Sequence, residues 1–119
     1  MMLVTGLPSA GKTTFAPNAL HYDDVRRLPR DERLAAYAQA NEVEGIFTTR
    51  ASRAVLLDAW KGREGRRVCI WLDTPLETCI ERERVRGRGE LLARYHHRMF
   101  EPPTPDEGWD EIRIVRRQI

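Results

Sequence analysis

The residues with the clearest chemical purpose are Gly6-Leu7-Pro8-Ser9-Ala10-Gly11-Lys12-Thr13. They complete the pattern G-x-x-x-x-G-K-[ST], in which a glycine-rich turn wraps backbone N–H groups around an anionic phosphate chain. Gly6 and Gly11 permit backbone geometry that a Cβ would hinder. A helix that begins at Lys12 presents the positive end of its dipole at the same spot. Lys12 adds a mobile positive charge for the outer phosphates, and the Thr13 hydroxyl suits a Mg²⁺ ion. The candidate nucleotide-binding set is therefore Gly6, Pro8, Ser9, Ala10, Gly11, Lys12, Thr13 and Thr14, with Thr13 as the metal ligand.

Two further groups of residues suit the same chemistry. Asp23 and Asp24 follow a short strand expected over 20–22. In open parallel sheets, sites lie at the carboxyl ends of strands, so these carboxylates share a rim with the glycine-rich loop. One of them can take the proton of an attacking hydroxyl, and either can instead cap the helix that follows. The second group is Arg82-Glu83-Arg84-Val85-Arg86-Gly87-Arg88-Gly89. Arginines on a helix end and a glycine-hinged segment can close over a triphosphate and stabilise charge on the moving phosphoryl group. The run also suits a solvated helix face balanced by Glu81, Glu83 and Glu90. Its place behind the glycine-rich loop favours a lid over 82–90.

Positioning these groups requires a particular order of elements. Residues 1–5 read as a central strand buried on both faces. Pro17 lies within the helix expected over 12–19, which is therefore short or distorted. A helix follows over 29–41. Glu42-Val43-Glu44-Gly45 reads as a break, and 45–48 as a weak strand. Residues 52–61 form a helix and 67–72 an apolar strand. Asp73 ends that strand and superficially resembles a metal-binding acid. It is assigned to a turn, because Thr74-Pro75-Leu76-Glu77 reads as a capping box. The helix from Pro75 buries Leu76, Cys79 and Ile80 and brings Arg82 and Arg86 to one side. A helix over 90–100 is apolar at Leu91, Leu92, Tyr95 and Met99. A three-proline connector then leads to a last strand over 111–115. Strands alternating with helices predict a mostly parallel sheet of about five strands with helices on both faces.

Composition sets outer bounds. The 119 residues suit one domain, 1–119, and the formal net charge of +2 argues against a protein held on duplex DNA by bulk charge. Lys12 and Lys61 are the only lysines, so the lysine at the motif position is telling. Cys69 and Cys79 are expected as buried free thiols, and no His/Cys spacing suggests zinc. His96 and His97 are adjacent on a helix and point apart, which makes no metal pair. His21, Trp60, Trp71 and Trp109 are read as packing or rim residues. No apolar run approaches the ~20 residues of a membrane span, and no leader is recognised before the first strand, so a reducing cytoplasmic setting is expected.

On these motifs the chain resembles the P-loop kinases of the polynucleotide 5′-hydroxyl kinase group, and more loosely zeta-toxin-like and small-molecule kinases. Four blocks carry the likeness: the loop 6–13, Asp23-Asp24-Val25-Arg26, Arg82-x-x-x-Arg86-Gly87, and the tail Phe100-Glu101-Pro102-Pro103-Thr104 with Glu107-Gly108-Trp109-Asp110-Glu111-Ile112. The resemblance implies a three-layer P-loop NTPase fold with a short arginine lid, using ATP and Mg²⁺. It implies that Asp23 is the general base for a 5′-hydroxyl and that Arg26 binds the adjoining acceptor phosphate. Lys12, Arg82 and Arg86 would neutralise the ATP phosphates. Many members carry Asp-x-Thr-Asn after the third strand; here Phe47-Thr48-Thr49-Arg50 has no acid. Expected partners are ATP and either a nucleic-acid 5′ end or a small-molecule hydroxyl, with no membrane. The rival expectations are a small-molecule kinase of the same fold and an ATP-binding module without catalysis.

Overall fold

The computed structural model describes residues 1–116. The uncharged run Met2-Leu3-Val4-Thr5-Gly6 forms β1 (Met2–Gly6). The other strands are β2 (Leu20–His21), β3 (Glu42–Gly45), β4 (Val68–Leu72) and β5 (Glu111–Val115). They build one all-parallel sheet in the order β2-β3-β1-β4-β5. Val4 pairs with Glu44 on one side and Ile70 on the other, so β1 is the middle strand.

Side chains alternate across a strand, and the two faces collect separate helices. On one face Val4, Ile70 and Leu72 pack with Ala16, Cys79 and Ile80. These come from the end of α1 (Lys12–Phe15) and from α5 (Leu76–Val85). Ala93 of α6 (Leu91–Met99) joins them. On the other face Leu3, Val43 and Cys69 pack with Val25, Tyr37, Leu56 and Trp60. Those side chains belong to α2 (Tyr22–Val25), α3 (Arg30–Gln39) and the α4 segment (Arg50–Ala59) with its C-cap. The result is an α/β sheet flanked by helices on both faces. Among the described residues, no helix is long and apolar enough to cross a membrane.

Two local expectations need correction. Glu42-Val43-Glu44-Gly45 is a strand, not a break, while 46–48 lie beyond it. Val43 is fully buried, and buried Glu44 accepts the His21 Nδ1 contact at 2.7 Å, so two carboxylates disguise a core strand. Thr74 does not cap α5: no side-chain cap is present, and its hydroxyl donates to the Ala10 carbonyl at 2.8 Å instead. The apolar residues Leu91, Leu92, Tyr95 and Met99 of α6 are exposed, and only Ala93 of that helix is buried. α1 is four residues long, in keeping with Pro17. Both cysteines are free and buried; burial pushes Cys69 up to about 12 and raises Cys79, so neither is a ready nucleophile.

The proline-rich connector is held by a buried charge. Arg53 is fully buried on α4; its Nε donates to Glu107 Oε1 at 2.7 Å and its Nη2 to Oε2 at 3.0 Å. Further bonds reach the carbonyls of Phe47 and Glu101. Glu107 in turn caps its own turn by accepting from the Thr104 N–H at 2.9 Å. Removing one partner of a buried pair leaves an uncompensated charge, at about 3–5 kcal/mol. Glu107→Gln is therefore expected to lower unfolding free energy by about 3 kcal/mol in urea denaturation. A loss near zero would show that the pair does not hold the connector.

Candidate active site

The loop 6–13 leaves the carboxyl end of β1 between β3 and β4. Its shape rests on two left-handed residues, Ser9 at φ 62° and Gly11 at φ 103°. Gly6 is needed for space: a Cβ there would lie 3.0 Å from the Leu72 carbonyl oxygen and 3.1 Å from the Ala10 Cβ. The loop is also tied from outside. Thr74 donates to the Ala10 carbonyl, and Arg82 Nη1 donates to the Ser9 carbonyl at 3.0 Å.

Lys12 is 8% exposed and its Nζ donates to the Leu7 carbonyl at 2.7 Å. Burial pushes its pKa down to about 8, against the opposing pull of negative groups led by Glu44 and including Asp23 and Glu83. The ammonium is therefore folded back into its own loop, protonated at neutral pH and under-solvated. Such a charge gains from an incoming polyanion.

A cleft of about 660 Å³ opens in front of this loop. Pro8, Ser9, Gly11, Lys12, Thr13 and Thr14 form its floor. Asp23, Arg26 and Arg27 form one wall, from α2 and the residues after it. Arg86 and Arg88 approach from the segment after α5, with Leu92 and His96 of α6 beside them. The sequence-identified residues Lys12, Thr13, Asp23, Arg26 and Arg86 thus meet in one space. Gly6 and Ala10 shape the loop from within. Arg82 does not line the cleft; it supports the loop through the Ser9 carbonyl. Asp73 is also elsewhere: its N–H donates to the Val115 carbonyl and its carboxylate faces Arg116 at 3.3 Å.

Four residues of the site escape a reading of local pattern. Glu44 reaches the cleft from β3, one residue before the strand ends. Its charge was legible, but its strand was not. His96 contacts the Thr48 hydroxyl at 3.3 Å, and burial together with the nearby Lys12 charge lowers its pKa. Arg88 looked like one more arginine of a charged run. Glu83 looked like a counter-charge, yet it is fully buried and accepts from Ser9 Oγ at 2.5 Å.

The donor set fits a hard divalent cation only in partnership with a ligand. Thr13, Asp23 and Glu44 offer oxygens to the cleft, as Mg²⁺ prefers. Among the described residues, no group of three or more His, Cys, Asp or Glu side chains could hold a metal. Phosphate oxygens would have to complete the shell. In comparisons with known proteins, no family model matches this sequence and no curated protein matches it.

Gly45 fixes the distance between β3 and α2. A Cβ there would stand 2.6 Å from the Tyr22 Cβ and 2.9 Å from the Phe47 ring. Tyr22 opens α2, the helix that carries Asp23. Gly45→Ala is expected to cost about 1–3 kcal/mol by overpacking, measured by chemical denaturation. Unchanged stability would mean that this approach does not set the position of α2.

Proposed function

We propose that this chain is a P-loop kinase that uses ATP and Mg²⁺ to phosphorylate a hydroxyl, with the 5′-hydroxyl of a polynucleotide as acceptor. The observation that carries the reading is one cleft holding a G-x-x-x-x-G-K-T loop, a carboxylate–arginine wall and facing arginines. The five-stranded parallel sheet with the loop at the end of its central strand supports the same fold.

Phosphoryl transfer asks mainly for position and charge neutralisation. In this mechanism the acceptor oxygen bonds to the γ-phosphorus as the bond to the β,γ-bridging oxygen breaks. ADP leaves, and the hydroxyl proton passes to Asp23. A carboxylate at this position can orient the hydroxyl and take its proton late in the transfer. Arg26 holds the acceptor phosphate next to the reacting hydroxyl, with Arg27 on the same wall. Lys12 turns from the Leu7 carbonyl to the β- and γ-phosphates. Arg86 faces them from the lid, and Arg82 keeps the loop in shape. Mg²⁺, held by Thr13 and phosphate oxygens beside the Glu44 carboxylate, would neutralise charge that this wall cannot.

The deciding assay is transfer from γ-labelled ATP to a 5′-hydroxyl oligonucleotide, beside a 5′-phosphorylated control and a panel of nucleosides and sugars. Label on the 5′-hydroxyl strand alone is expected. Label on a small molecule alone would replace the acceptor and keep the mechanism. ATP binding with no label anywhere would leave a nucleotide-binding module. Asp23→Ala is expected to lower kcat by about 10²–10⁴-fold with ATP affinity within about twofold. Wild-type turnover in that variant would remove Asp23 as the base.

Lys12 adds a pH dependence with a definite sign. ATP favours the charged amine, so binding raises a pKa that stands at about 8 in the free protein. Affinity should be level near neutral pH and fall as pH rises beyond about 8, when free Lys12 has already lost its proton. Calorimetric titrations across that range test this. A level affinity well above pH 8 would show that Lys12 does not meet the phosphates.

A further inference from the structure

Four arginines lie on the lid segment, and the structure separates them. Arg82 bonds the Ser9 carbonyl. Arg84 turns outward to Glu81 and Glu90. Arg86 caps α5 at the cleft edge. Arg88 sits between Gly87 and Gly89, both at positive φ, and also lines the cleft.

Arg88 alone is anchored to a buried carboxylate. Its Nε and Nη2 donate to Glu83 Oε2 at 3.0 and 2.5 Å, and its N–H donates to the Glu83 carbonyl at 2.9 Å. Its Nη2 also lies 3.4 Å from Ser9 Oγ, which donates to the same carboxylate oxygen. Glu83 is fully buried, and its Oε1 has no hydrogen-bond partner among the described residues. A buried carboxylate is costly to keep, so its partners are informative. Here they are a serine of the glycine-rich loop and one lid arginine. Burial works to raise the Glu83 carboxyl, and the Arg88 and Ser9 hydrogen bonds outweigh it and hold the carboxyl below its ordinary range.

We propose that Arg88 is the lid arginine that meets the transferring phosphoryl group, and that Glu83 positions it. The inference rests on the reading of the cleft as an ATP site. A guanidinium has five N–H donors in a rigid fork. Glu83 takes the Nε edge, and the Nη1 end makes none of these bonds, which leaves it for an anion in the cleft that Arg88 lines. Main-chain and side-chain bonds to one residue hold the fork over Ser9 instead of letting it sweep through solvent. Lys12 rises from the floor of the loop and Arg88 from the Ser9 side. An ordered donor aimed at developing charge lowers the barrier more than a mobile one. Glu83 acts through Arg88 and is a positioning residue.

The test uses the full chain as wild type, Arg88→Ala, Arg88→Lys, Glu83→Gln, the Arg88→Ala/Glu83→Gln double variant, and Arg84→Ala as control. Transfer to a 5′-hydroxyl oligonucleotide is measured together with Mg·ATP and Mg·ADP affinity. Arg88→Ala should lower kcat by about 10²-fold or more, as loss of an arginine on the moving phosphoryl does. Arg88→Lys should not restore it. Glu83→Gln should lower kcat by about tenfold with acceptor KM within about twofold, and the double variant should be no worse than Arg88→Ala. Arg84→Ala should stay within about twofold of wild type. If Glu83→Gln does not fold, Glu83→Asp gives the same comparison. Faster turnover in Glu83→Gln, an unchanged kcat in Arg88→Ala, or additive losses in the double variant would overturn the proposal. If the wild type labels no acceptor, the kinase reading fails and binding decides: an about tenfold loss of ATP affinity with ADP affinity unchanged in Arg88→Ala supports the assignment, and equal affinities overturn it.

Discussion

Everything in this molecule hangs on β1 being hydrogen-bonded on both sides. With β3 and β4 paired in parallel to its two edges, its backbone groups are satisfied within the sheet, and its carboxyl end opens onto a groove between two neighbours. Parallel sheets have both faces covered, so this end is where a loop can bring backbone N–H groups to a ligand. The residues after β1 need not form a site by themselves. The sheet delivers them to a fixed point, and α2, the arginine-rich segment after α5 and α6 converge on that point from three other stretches of chain.

Buried charge performs the joining. Arg53 and Glu107 tie the connector before β5 to α4, and through the Phe47 and Glu101 carbonyls to the end of β3 and the exit of α6. Glu83 ties α5 and the following Arg88 to Ser9. His21 and Glu44 tie β2 to β3 across their carboxyl ends. In each case a group that burial penalises is matched by a partner far away in sequence, so each pair sets one segment against another. Such pairs give little net stability compared with apolar packing, but they specify arrangement. The two apolar clusters supply the adhesion, and these buried polar contacts choose the geometry.

The parts of the site that were legible in sequence are those whose signal is local. The loop 6–13 declares itself by spacing, and Asp23, Arg26 and Arg86 by position relative to it. The order of strands and helices follows from the apolar runs. What remained hidden was settled by contacts across the chain. Two glutamates around Val43 look like solvent-facing residues until His21 is seen to cover one of them. Thr74 fits a capping pattern, yet the Ala10 carbonyl is the partner it takes. Arg82, Arg84, Arg86 and Arg88 are near-identical letters on a helix end, and only three-dimensional partners tell a support from an outward-facing residue or a cleft residue. The apolar residues of α6 are a different case, since their spacing along the helix does not set their exposure, which depends on what lies next to it.

The near-absence of lysine has a practical corollary. Besides the chain terminus, the protein has two primary amines, one on a highly exposed Lys61 and one on Lys12 inside the loop. With its pKa pushed down to about 8 by burial, Lys12 gives up its proton far more readily than an ordinary lysine. An unprotonated amine is a nucleophile. Small acylating reagents that can reach into the cleft therefore have a chemically distinct target at its floor, in a chain whose remaining cationic side chains, arginines almost throughout, do not compete for them.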